Sequence, residues 1–189
     1  MNRLLQEIRN CKVCEEFLED GVNPVMSASK SSKLLIIGQA PGRIVHYSGI
    51  PWDDKSGDNL MRWLGVEKSV FYNPDLIALM PMGFCYPGSG NTGDNAPRPE
   101  CAPLWHNRLL SKMPEIRLIL LIGLYAQRYY LGNRAKETLT ETVRNYKIYR
   151  PLYFPLPHPS PRNNIWLSKN KWFEEVVLQE LKESLKGLF

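Results

Sequence analysis

The sequence predicts an α/β fold built on a parallel sheet covered on both faces. Three observations carry this. Leu34–Ile37 (LLII) and Arg117–Ile122 (RLILLI) are short, nearly uninterrupted apolar runs, each followed at once by a glycine, the pattern of strands buried on both sides. Stretches of helical spacing alternate with these runs. The chain is also punctuated by 15 prolines and 13 glycines, so ordered loops join the elements.

The elements follow in chain order. Arg3–Leu18 has Leu4, Leu5, Ile8, Cys11 and Phe17 near helical spacing. Leu34–Ile37 is the first strand, and Gly38 opens the loop after it. Asp58–Leu64 reads as a helix with Ser56 or Asp58 as its cap and Gly65 as its stop. Leu76–Met80 is the second strand and Arg117–Ile122 the third. A helical stretch, Tyr125–Leu131, then ends at Gly132. Tyr153–Leu156 is a short fourth strand leading into a proline-rich loop. The tail, Lys171–Leu185, is amphipathic, with Phe173, Val176, Val177, Leu181 and Leu185 on one side.

A length of 189 residues is that of one domain, expected to span 1–189. Hydrophobic residues at 43% and charged residues at 23% exclude a largely disordered chain. No run approaches the eighteen or so apolar residues of a membrane span. The N-terminus MNRLLQEIRNCKVC carries charges through its apolar positions, unlike a secretory signal. A cytoplasmic protein without membrane contact is therefore expected, with a monomer as the default. The net charge of +5 tolerates a polyanionic partner without demanding one.

In parallel sheets the working residues sit on loops at the carboxyl ends of the strands. That rule selects four segments: Gly38–Asp54, Pro81–Cys101, Gly123–Tyr125 and Pro157–Asn163. A glycine directly after a buried strand lets backbone amides approach a ligand. Prolines stiffen the last loop and pre-organise its histidine, serine and arginine. The cysteines are Cys11, Cys14, Cys85 and Cys101. Seventy residues separate Cys14 from Cys85, and fifteen separate Cys85 from Cys101. Disulfides do not suit a chain without a secretion signal. Four unrelated core cysteines are one reading. A four-thiolate metal site is the other, and this open spacing suits a [4Fe–4S] cluster better than a zinc ribbon. Such a group would tie the N-terminal segment to the loop after the second strand.

Gly38-Gln39-Ala40-Pro41-Gly42, the segment GIPWDDKSGDNL (Gly49–Leu60), the Cys85–Cys101 spacing, LLIGLYAQRYYLG and HPSPRN (His158–Asn163) together resemble the uracil-DNA glycosylase superfamily. The four-cysteine pattern is similar to its iron–sulfur branches, families 4 and 5, and HPSPRN is also similar to its single-strand-selective branch. The likeness runs from about Cys11 to the C-terminal helix. It implies a three-layer α/β/α sandwich around a four-stranded parallel sheet. It implies hydrolysis of the N-glycosidic bond of uracil, or another deaminated base, flipped out of DNA, leaving an abasic site for repair. No catalytic metal is needed.

The resemblance also implies roles. Trp52 falls where family 4 stacks a phenylalanine on the base. His158 matches the motif histidine that donates to a base oxygen, where negative charge develops. Gly38, Gln39, Ala40, Pro41 and Gly42 line the base site, with Gln39 a further candidate for the chemistry. Asp54 is the expected water-orienting carboxylate and Asp53 the runner-up. Ser160, Arg162 and Asn163 are expected to grip DNA. Cys11, Cys14, Cys85 and Cys101 would hold the cluster. The chain departs from the pattern at three polar positions. Ala40 stands where other branches have Asp or Asn, and Gln39 where family 4 has Glu. Pro81 stands where many relatives have an Asn that reads the base, with Asn91 and Asn95 nearby. Hypoxanthine, xanthine or a damaged pyrimidine are therefore alternative bases. A DNA-binding module without turnover, or a nucleoside or nucleotide hydrolase, is the alternative activity.

Overall fold

The computed structural model of the chain describes residues 1–91 and 93–189. Its elements, in order, are α1 (Asn2–Arg9), β1 (Leu34–Ile37), α2 (Arg43–Ser48), α3 (Lys55–Leu64), α4 (Lys68–Phe71), β2 (Ile77–Leu79), β3 (Ser89–Gly90) and β4 (Gly93–Asp94). Then come α5 (Cys101–Leu110), β5 (Leu118–Ile122), α6 (Gly123–Leu131), α7 (Leu139–Arg144), β6 (Tyr153–Leu156), α8 (Asn164–Lys169) and α9 (Leu178–Leu185). The main sheet has the order β2-β1-β5-β6, and every pair is parallel. β3 and β4 form a separate antiparallel hairpin.

Alternation along the strands explains the layers. Leu34 and Ile36 of β1, with Leu118, Leu120 and Ile122 of β5, face a core shared with Leu60, Trp63 and Leu64 of α3 and with Phe173, Val177 and Leu181 of the tail. Leu35 and Ile37, with Ile119 and Leu121, face a second core shared with Leu4 and Ile8 of α1, Trp105 and Leu109 of α5, and Ala126 of α6. Each strand residue thus serves one face or the other. The result is a three-layer α/β/α sandwich on a four-stranded parallel sheet, as the sequence predicts. Among the described residues no helix is long and apolar enough to cross a membrane.

Several boundaries differ from the sequence reading. The segment Arg3–Leu18 is helical only to Arg9, followed by a turn and a 3₁₀ turn at Glu15–Phe17. Only Leu4 and Ile8 of that helix are buried. Phe17 is half-exposed and lies under the Arg98 guanidinium, 4.0 Å from the ring centre. α3 starts a turn earlier than predicted because Asp54, rather than Ser56 or Asp58, caps it. α6 starts at Gly123 rather than Tyr125. The tail is not one regular helix: Phe173–Val177 is a π-helical turn before α9. The wider turn rotates Val176 away from the core, leaving it half-exposed while Val177 is buried.

Candidate functional site

In the main sheet the chain steps from β1 out to β2 and then crosses back to β5 on the other side of β1, so the strand order reverses there. A crevice outside the carboxyl ends of the strands is expected there. A cavity of about 550 Å³ occupies it, lined by Gly38–Gly42, Trp52, Asp54, His158, Ser160 and Arg162. Ten of the residues singled out from the sequence therefore meet in one place. Two do not line it. Asp53 is exposed to solvent, and Asn163 turns inward to donate from Nδ2 to the carbonyl of His158 at 2.7 Å.

Trp52 forms one wall. Its φ of 60° is in the left-handed region, which a bulky residue occupies only when its surroundings impose it. Two glycines make the room. A Cβ on Gly57 would sit 1.8 Å from the Trp52 carbonyl oxygen, and a Cβ on Gly38 would sit 2.7 Å from the indole ring. The Tyr72 hydroxyl donates to the same Trp52 carbonyl at 3.3 Å.

His158 stacks on Trp52 with ring centres 5.7 Å apart and planes 30° from parallel. Its Nδ1 accepts the Ser160 backbone N–H at 3.2 Å. The neutral ring therefore carries its proton on Nε2. Burial lowers the His158 pKa below the ordinary histidine value of 6.5, with Asp54 pulling the other way, so the neutral form persists at physiological pH. The loop is held by side chains as well as by its prolines. Asn163 grips the carbonyl of His158, and Asn59 of α3 donates to the carbonyl of Pro159 at 3.0 Å. Arg62 in turn donates to Asn59 Oδ1 at 3.0 Å.

Asp54 has two tasks. Its Oδ1 accepts the backbone N–H groups of Ser56 and Gly57 at 2.8 and 2.9 Å. This is a standard helix cap. Its Oδ2 is left facing the cavity above Gly42. Gln39 also has a structural bond, donating from Nε2 to the Asn95 carbonyl at 3.2 Å. That bond fastens the β3–β4 hairpin beside the cavity. Pro81 lines the cavity too, but its carbonyl already accepts from His106 Nε2 at 3.0 Å. Burial pushes the His106 pKa down to about 4, opposed by that same bond.

Sequence reasoning missed Asp94. It stands on β4, exposed as a residue, yet its carboxyl lines the cavity. Partial burial raises its pKa, Arg162 opposes the shift, and Asp54 adds to it. The only signal was its place in the loop Pro81–Cys101, whose hairpin no hydrophobic pattern announces.

The four cysteines converge on a second, small cavity, which all of them line. The Cys101 thiol sulfur accepts the Phe84 N–H at 3.3 Å, and Cys14 lies 3.9 Å from Glu100 Oε2. All four are free thiols. Burial raises the Cys85 pKa to about 11 and that of Cys101 to about 12. Among the described residues no three His, Cys, Asp or Glu side chains are placed to hold a single metal ion. Cys11 and Cys14 reach this cavity from the turn after α1, not from a helical face.

The sequence matches a known family. The chain resembles the solution NMR structure of a candidate uracil DNA glycosylase from Methanosarcina acetivorans, at 16% identity and a TM-score of 0.48, over 84% of this chain and 98% of that one. A sequence profile of the family described as the uracil DNA glycosylase superfamily matches residues 26–182, a span that holds the cavity-lining residues from Gly38 to Arg162. By that match the chain belongs to the uracil DNA glycosylase superfamily.

Proposed function

We propose that the protein hydrolyses the N-glycosidic bond of uracil, or another deaminated base, in DNA, leaving an abasic site for base-excision repair. The observation that carries this reading is the His158–Trp52 pair: an aromatic wall beside an imidazole whose free proton is held on Nε2. A nucleotide flipped from the stack costs a few kcal/mol to extrude, and the Trp52 face repays part of it by stacking. As the bond to the base breaks, negative charge gathers on the base oxygens. The Nε2–H of neutral His158 donates to that charge, a stabilisation larger in the transition state than in the ground state. Asp54 Oδ2 orients the water that attacks the sugar C1′. Ser160 and Arg162, at the cavity edge, take the DNA backbone.

The four thiols suit a [4Fe–4S] cluster. They come from three segments to one cavity, with a backbone N–H already aimed at the Cys101 sulfur. Cys11, Cys14, Cys85 and Cys101 would hold it. It would supply structure rather than chemistry at the base, since the cysteines share no lining residue with the larger cavity.

The test is base release from an oligonucleotide carrying one uracil, read by alkaline cleavage at the abasic site, with His158→Ala as control. Cleavage by the wild type that is lost in the control supports the reading. If uracil, hypoxanthine and xanthine all stay attached, the enzyme reading fails and a binding role replaces it.

A further inference from the structure

The space over Gly42, which Asp54 Oδ2 faces, has a second carboxylate beside it whose role has not been assigned. A Cβ built on Gly42 would lie 3.5 Å from Asp94 Oδ2 and 4.0 Å from Asp54 Oδ2. Two carboxylate oxygens from different elements, the cap of α3 and the end of β4, thus approach the same point, a gap over Gly42. The gap belongs to the cavity that holds His158 and Trp52. Carboxylates only accept hydrogen bonds, so its occupant must be a donor, and the room left by a missing methyl suits a single water.

We propose that Asp94 is a catalytic residue: with Asp54 it holds the attacking water in the gap over Gly42. This rests on the glycosylase reading. In the step, the water oxygen forms a bond to C1′ as the bond from C1′ to the base nitrogen breaks. The base leaves with that electron pair, and the proton lost by the water passes to the carboxylate pair. No further reactant is required. Two features fit. Partial burial and the nearby Asp54 raise the Asp94 pKa and make it a better proton acceptor than a free aspartate, with Arg162 opposing the shift. The hairpin is fixed in place by Gln39, which donates to the Asn95 carbonyl one residue beyond Asp94. Arg162 reaches it from the other side, with Nη1 2.9 Å from where a Cβ of Gly93 would lie. Asp94 therefore comes to the gap on a braced support, as positioning a nucleophile requires.

The experiment is single-turnover base release at saturating enzyme, with oligonucleotide affinity measured separately. Asp94→Asn should release base about a hundredfold more slowly, the range of a lost general base, with affinity within about twofold of wild type. Because the two carboxylates share one water, Asp54→Asn with Asp94→Asn should cost little more than the worse single change, instead of the product of both. Gly42→Ala, whose Cβ would come into ordinary contact with Asp94 Oδ2 and take up the gap, should slow release while leaving melting temperature and affinity unchanged. An active wild type with an equally active Asp94→Asn overturns the water site alone. So does a loss explained entirely by weaker oligonucleotide binding, or single losses that multiply. A wild type that releases no base overturns the glycosylase reading, and the water site with it.

Discussion

Asp54 caps α3 with one oxygen and turns the other, for which the water-orienting role is proposed, toward the cavity, so substitution can separate the two. Oδ1 satisfies two backbone N–H groups at the start of α3, while Oδ2 faces the cavity. Asp54→Asn keeps an acceptor at the cap but loses the charge that favours a helix N-terminus, worth about 0.5 kcal/mol. Asp54→Ala loses the cap as well, for a total of about 1.5 kcal/mol. For a chain of this length that is a melting-temperature drop of about 1–2 °C for Asn and about 3–6 °C for Ala. Both variants lose a carboxylate facing the water, so both should slow base release about a hundredfold, or about 2.7 kcal/mol of barrier. The assay pairs thermal unfolding by circular dichroism with single-turnover release. A wild-type rate in Asp54→Asn would show that Asp54 only caps the helix. Equal melting of the two variants would refute the cap.

Four further outcomes are expected. Gly57→Ala should lower the melting temperature by several degrees and quench turnover, since a Cβ there collides with the Trp52 carbonyl at 1.8 Å and overpacking costs about 1–3 kcal/mol; unchanged melting refutes the account of the Trp52 backbone. His158→Ala should keep its fold and lose base release. In the wild type, burial favours neutral imidazole in the folded state, so the stability tied to that form is fully present above pH 6.5 and is lost progressively as pH falls from there to the lower folded pKa, while the activity that needs neutral His158 persists through pH 6.5 and falls only at the folded pKa; a wild-type rate already halved at pH 6.5, and flat there in the variant, contradicts this. Asn163→Ala should reduce the release rate more than DNA affinity, because its amide holds the His158 carbonyl at 2.7 Å; an affinity loss at constant rate would return Asn163 to the DNA surface. Protein purified without oxygen should be yellow-brown and contain about four irons per chain, with the colour lost in Cys101→Ser; a colourless protein carrying one zinc ends the cluster proposal.

The parts of this fold legible in the sequence are those set by burial. Leu34–Ile37 and Leu118–Ile122 are buried at every position, so apolar composition alone marked them. Glycines and prolines marked the loops that form the cavity. What stayed hidden depends on polar capping and on distant partners. The early start of α3 came from a side-chain cap that competes with Ser56 and Asp58, all three being good capping residues. Asn163 looked like a DNA contact because nothing in HPSPRN shows that its amide turns back to its own loop. Asn59 and Asp94 were invisible for the same reason: each acts on a loop far away in sequence. The π turn at Phe173 shifted Val176 out of the core by a rotation that a regular 3.6-residue period does not contain.

The Phe84 N–H bond to Cys101 joins the two roots of the β3–β4 hairpin across seventeen positions of sequence. Such a closed loop lengthens cheaply, because each doubling adds only about 0.6 kcal/mol of closure entropy. The exposed tip between the roots can therefore lengthen at little cost in closure entropy. The hairpin also delivers Asp94 to the cavity. Changes in loop length alone can thus move a carboxylate into or out of the reaction site while both sheet cores remain intact. On the proposed reading, that makes the hairpin the natural place to alter activity without selecting a new fold.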